Sequence, residues 1–201
     1  MQYNPKIHHR HSIRLKGYDY SQAGLYFITI CVQDRKCRFG KIENDEMIWN
    51  SLGEHANKCW LEIPEHFPNV VLHEHIVMPN HVHGIIQLTG DAVVRSRHVV
   101  TVQPDATTEG TSHVMSQQPP TLPFQNKFSQ PIPGSISVII QQFKSSVKRW
   151  CNQNGYDHFT WHSRFHDHII RNEQSYQTIS NYIINNPAKW QDDKFFNNDI
   201  I

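Results

Sequence analysis

The 201-residue sequence predicts an α+β fold in which helices cover an antiparallel sheet. Three observations predict it. Short β-branched and aromatic runs are bounded by turn residues, two of these runs are joined by the strong turn pair Pro79-Asn80, and apolar positions recur at helical spacing in three other segments.

Taken in order, Leu25-Tyr-Phe-Ile-Thr-Ile-Cys-Val32, between Gly24 and Asp34, reads as a largely buried strand. Arg38–Ile42 and Met47–Trp49 flank the turn-like Glu43-Asn-Asp-Glu46 and read as a short hairpin. Ser51-x-x-Glu54 matches a capping box, and Leu52, Ala56, Cys59, Trp60 and Ile63 recur at helical spacing, so a helix starts at Ser51 and Pro64 stops it. Val70–Met78 and Val82–Thr89 are apolar-rich strands that pair across Pro79-Asn80. Ile136, Ile139, Ile140, Phe143, Val147 and Trp150 form one helical stripe, with Lys144 and Lys148 one turn apart beside it as a basic edge free to meet phosphate. Phe165–Arg171 is a further strand, and Asn172 caps a last helix running toward Asn186 before Pro187 ends it.

Asp91–Pro133 breaks this pattern. It holds six of the eleven prolines, two aromatics and no sustained periodicity, and reads as a disordered insertion within a single domain spanning 1–201.

Composition excludes several classes. No run of eighteen apolar residues exists, and the polar start Met1–Arg14 lacks the apolar stretch of a secretory signal, so the expectation is a cytoplasmic protein with no membrane partner. Cys31, Cys37, Cys59 and Cys151 form no C-x-x-C pair, which argues against a disulfide scaffold or a cysteine-rich zinc site. Lys+Arg 19 nearly balance Asp+Glu 18. The charges are nonetheless segregated: Lys6, Arg10, Arg14 and Lys16 outweigh Asp19 near the start, basic residues dominate 134–171, and acidic residues dominate 43–74. Such segregation suits a basic face for a polyanion, or equally an ordinary solvated surface.

Fifteen histidines are an excess, and the H-x-H pairs include His73/His75, His81/His83 and His166/His168. In a strand, residues i and i+2 share a face, so each pair could offer two imidazoles to one cation. His81-Val82-His83 is best placed, because Val82 can enter the core on the other face and Gly84 leaves space beside the pair. The charged middle residues Glu74 and Asp167 make half-exposed histidines the better reading of the other two pairs. With carboxamides and carboxylates available and no cysteine cluster, the preferred ion is magnesium or manganese rather than structural zinc. In the last helix, Tyr176, Ile179, Ile183 and Trp190 mark the core stripe. At about 100° per residue, Tyr182 and Asn186 fall to one side of Ile179. They are either half-buried anchors or a phenol facing a metal-holding cavity with an amide as third ligand.

Arg10-His-Ser-Ile-Arg-Leu15, Tyr18-Asp-Tyr20, Gly24-Leu-Tyr-Phe-Ile-Thr-Ile30, Met78-Pro-Asn-His-Val-His-Gly84, His168-Ile-Ile-Arg171 and Tyr182-Ile-Ile-Asn-Asn-Pro187 together resemble the REP-associated tyrosine transposases, a branch of the single-tyrosine HUH (IS200-like) transposases. The resemblance implies a ferredoxin-like HUH endonuclease fold, Tyr182 as nucleophile, and a divalent metal, Mg or Mn, held by His81, His83 and Asn186. A residue before proline is pushed out of helical geometry, which leaves Asn185 as the alternative to Asn186. The implied activity is nicking and rejoining of single-stranded, hairpin-forming repeat DNA through a 5′-phosphotyrosine. Arg10, Arg14, Lys16, Lys144, Lys148 and Arg149 would contact phosphates. Monomer and homodimer are both compatible with it. Two other classes stay open: a non-catalytic DNA-binding regulator, and a metal-dependent hydrolase that uses water.

Overall fold

In a computed structural model of the chain, residues 18–90 and 132–196 are described. The insertion expected over 91–133 lies outside them except for its last two residues, as do Arg10, Arg14 and Lys16. Among the described residues the strands are β1 (Gly24–Cys31), β2 (Gly40–Glu43), β3 (Glu46–Trp49), β4 (Val70–Val77), β5 (His81–Leu88) and β6 (His166–Ile170). The helices are α1 (Ser51–Leu61), the single turn α2 (Ile63–His66), α3 (Ile136–Gln153) and α4 (Glu173–Ile184), followed by a 3₁₀ segment over Pro187–Asp192.

The main sheet has the order β4-β5-β1-β6, with every neighbouring pair antiparallel. The fold is therefore α+β, with the ferredoxin-like arrangement of strands and helices; the β2–β3 hairpin is inserted before α1 and α4 is appended after β6. Asn44 and Asp45, both with positive φ, make the tight hairpin turn.

The two faces of the sheet differ. Tyr26, Ile28 and Ile30 of β1 and Val82 and Ile86 of β5 point to one face, where they meet Leu52 and Trp60 of α1 and Ile139, Ile140, Phe143 and Val147 of α3 in the principal core. The opposite face carries His81, His83 and Ile85 on β5, with α4 lying over the β4–β5 side. There the apolar packing is smaller: Ile85, Ile170 and Ile183 are its buried members. No helix among the described residues is long and apolar enough to cross a membrane.

Four local expectations are corrected. The α1 cap is Asn50, whose side chain accepts from the Gly53 N–H at 3.0 Å, so Ser51 is the first helical residue. Pro64 does not end the helical stretch, because α1 stops at Leu61 and the proline sits in the first turn of α2, where its missing N–H is not needed. The room made by Gly84 is not beside the histidines: a Cβ there would stand 2.3 Å from Trp60 Cζ2, on the core face. His73 and His75 do not share a face either. Leu72 opposes Ile86 and His75 opposes Gly84, so His73 and Glu74 together oppose Ile85 as a β-bulge. His73 bonds Tyr176 and Gln87 on the α4 side, whereas His75 bonds Asn57 and stacks on Trp60 on the core side.

Candidate active site

His81 and His83 lie on the central strand β5, and strand alternation aims both at the α4 face while Val82 enters the principal core. Their ring centroids are 4.4 Å apart, and both residues are buried. His81 Nδ1 lies 2.9 Å from Asn80 Oδ1, an acceptor, so Nδ1 carries the proton and Nε2 presents a lone pair. His83 Nδ1 lies 2.9 Å from Thr29 Oγ1, placed opposite it by the β1–β5 register.

Tyr182 near the end of α4 brings its hydroxyl 3.1 Å from His83 Nε2. The same hydroxyl donates to Asp193 Oδ2 at 3.1 Å, and that oxygen also accepts from Asn186 Nδ2 at 3.0 Å. Phe27 meets the Tyr182 ring edge-on at 6.2 Å. Beyond the 3₁₀ segment, the chain folds back over the histidines. Asn80 Nδ2 donates to the Phe195 carbonyl at 2.7 Å, and the Phe195 ring lies 4.7 Å from that of His81.

The polar inventory is lopsided. His81 Nε2 and Asn186 Oδ1 are buried with no protein partner. The phenol oxygen sits between His83 Nε2 and Asp193 Oδ2 and donates its one proton to the carboxylate. Acceptors thus outnumber donors around one point, and ligand atoms of His81, His83 and Asp193 lie within 4.8 Å of one another. Neutral imidazoles, an amide oxygen and a carboxylate converging with unspent lone pairs fit a divalent cation.

Electrostatics agree with this reading. Burial, with Lys194 adding repulsion, lowers the His81 pKa to about 3. Burial and its neighbour His81 push His83 well below the ordinary histidine value, so both rings are neutral. Burial and then the Asp193 carboxylate raise the Tyr182 phenol to about 12.

Asn186 takes α-helical angles (φ −60°, ψ −40°) despite preceding Pro187. Its N–H bonds the Ile183 carbonyl and its own carbonyl accepts from Lys189, which holds it between α4 and the 3₁₀ segment. The alternative, Asn185, instead donates its amide back to the Asn181 carbonyl and is exposed. Lys144 and Lys148 are not a free basic edge. Lys144 Nζ donates to the carbonyls of His162 and Arg164, and Lys148 Nζ to those of Asp157 and Phe159, so both fasten the 157–164 segment to α3. Arg149 is exposed. His166 and His168 are exposed on β6.

Sequence reasoning missed Asp193, Asn80 and Thr29. Asn80 adjoins His81, and Asp192-Asp193 follows the distal helix closely, but neither placement is periodic.

No family model matches the chain. It belongs to the same family as an uncharacterized protein of Haemophilus influenzae, with 40% identity over 194 residues, covering 96% of this chain and 97% of that protein. Its fold is that of a solved REP-associated tyrosine transposase bound to a REP hairpin: the TM-score is 0.53 at 18% identity, covering 88% of this chain and 73% of that one.

Proposed function

We propose that this chain is a metal-dependent single-stranded DNA nickase and strand transferase of the REP-associated tyrosine transposase type. The observation that carries the reading is the meeting of the Tyr182 hydroxyl with His83 inside an acceptor-rich cluster that also contains His81, Asn186 and Asp193. The fold shared with a hairpin-bound transposase supports the same substrate class.

In this reading His81, His83 and Asn186, joined by Asp193, would hold magnesium or manganese. Such an ion would supply positive charge against the scissile phosphate and against the developing phenolate. Tyr182 Oη attacks phosphorus, its proton passing to Asp193 Oδ2, the acceptor already placed 3.1 Å away. The tyrosine is then joined to the 5′-phosphate, and the other strand end leaves as a 3′-hydroxyl. Attack by a 3′-hydroxyl on the phosphotyrosine reverses the exchange, so the phosphodiester is re-formed without an external energy source. Arg149, together with Arg10, Arg14 and Lys16 outside the described residues, supplies phosphate contacts. Lys144 and Lys148 add positive potential from positions held by backbone carbonyls.

The test is incubation with hairpin-containing single strands and manganese, read on denaturing gels. A covalent protein–DNA band that Tyr182→Phe abolishes is the expected result. Multiple-turnover cleavage without that band would replace this reading with hydrolysis by water.

A further inference from the structure

We propose that Glu74 is a positioning residue: its carboxylate sets the roll of α4 about its own axis and so holds the Tyr182 phenol against His83. The inference deepens the reading above and rests on it for its catalytic meaning.

Simple alternation along β4 would send Glu74 into the apolar core between the sheet and α1. The bulge between Leu72 and His75 turns it to the opposite face instead. There its Oε2 accepts from the Tyr176 hydroxyl and from Ser180 Oγ, each at 3.0 Å. Tyr176 and Ser180 are one turn apart on α4, so one carboxylate grips two successive rungs of one helix edge. His73 Nδ1 lies 3.1 Å from the same Tyr176 hydroxyl, and its Nε2 lies 2.9 Å from Gln87 Oε1, which ties the grip to β5. Burial pushes the Glu74 carboxyl up, but its backbone N–H, Ser180 and Tyr176 together hold it below the ordinary value, so it grips as a carboxylate.

Helix geometry explains why this matters at Tyr182. On the wheel, Ser180 and Tyr176 mark one edge of the sheet-facing side, Tyr182 marks the other edge, and Ile179 and Ile183 lie between them. The isoleucines press on a small apolar cluster with Ile85 and Ile170. Apolar contact of this kind is not directional, so it supports the helix without fixing its roll. The hydroxyl-to-carboxylate bonds at the far edge are directional. A side chain reaching about 6 Å from the axis moves by about 1 Å for each ~10° of roll. Misplacement by about 1 Å is enough to cost on the order of 100-fold in a positioned reaction.

The experiment compares wild type, Glu74→Ala and Ser180→Ala, using hairpin-containing single-stranded DNA and manganese. It records the single-turnover rate of the covalent band, the DNA dissociation constant, and hydrogen exchange of the α4 amides. The expected result is a rate loss of roughly 10- to 100-fold in Glu74→Ala, a smaller loss in the same direction in Ser180→Ala, an unchanged dissociation constant, and faster exchange confined to α4. Wild-type rate with wild-type α4 exchange overturns the proposal. So does a loss that spreads to DNA affinity and to exchange across the whole chain, which would mark Glu74 as merely structural. If wild type itself forms no covalent band, the transposase reading fails. Glu74 is then judged on α4 exchange alone, and unchanged exchange in Glu74→Ala overturns the clamp.

Discussion

Tyr182 and His83, 99 residues apart in the chain, meet with 3.1 Å between the phenol oxygen and Nε2, and the phenol is held there by a second bond to Asp193. With burial and the adjacent carboxylate raising its pKa to about 12, the phenol is a weaker acid than free tyrosine. A cation beside it acts in the opposite direction. At pH 10, where an ordinary tyrosine is about half ionised, metal-free protein should show no phenolate absorbance attributable to residue 182, judged by difference from Tyr182→Phe. Added manganese should make that difference appear. An unchanged difference spectrum would place the ion away from the phenol.

Metal binding should also register as stability. A ligand that binds the folded chain alone, at a hundredfold excess over its dissociation constant, contributes about 2.7 kcal/mol. For a chain of this size that corresponds to a melting-temperature rise of about 5–10 °C. Manganese or magnesium should produce such a rise in thermal melts, and His81→Ala should abolish it. A rise of equal size in the variant would move the ion to another site.

The parts of this arrangement that were legible in the sequence are those governed by local periodicity. Two-residue alternation puts His81 and His83 on one face with Val82 on the other, and the helical stripe of Ile179 and Ile183 leaves Tyr182 at its edge. The strands and the order of elements follow from the same patterns. What periodicity could not supply are contacts made by register and chain return. Thr29 reaches His83 because β1 and β5 pair in one particular register, and Asp193 reaches Tyr182 because the chain turns back after Pro187. Glu74 faces α4 because of a bulge, an interruption that alternation cannot foresee. The lysines of α3 look like a free edge in the sequence because the carbonyls they bind belong to a loop with no pattern of its own.

Gly84 illustrates the cost of that missing tertiary information. A methyl group there would stand 2.3 Å from Trp60 Cζ2 and 2.9 Å from Cε2, and Trp60 is itself buried between the sheet and Phe143. The indole has nowhere to retreat, so Gly84→Ala should destabilise the fold by about 1–3 kcal/mol, as overpacked cores do. Chemical denaturation measures this directly. A variant as stable as wild type would show that the Trp60 ring shifts without cost.

Acid should expose the buried histidines. Their folded pKa values lie below the unfolded value near 6.5, His81 at about 3 and His83 well lowered, so between these limits the unfolded chain binds more protons than the folded one. Stability therefore falls as pH drops from about 6.5 toward 3, by up to about 1.4 kcal/mol per pH unit for each such histidine. Denaturation midpoints of metal-free protein should decline across that window. Substituting both residues, as in His81→Gln with His83→Gln, should flatten the decline relative to wild type. An equally steep decline in the double variant would assign the acid sensitivity to other groups.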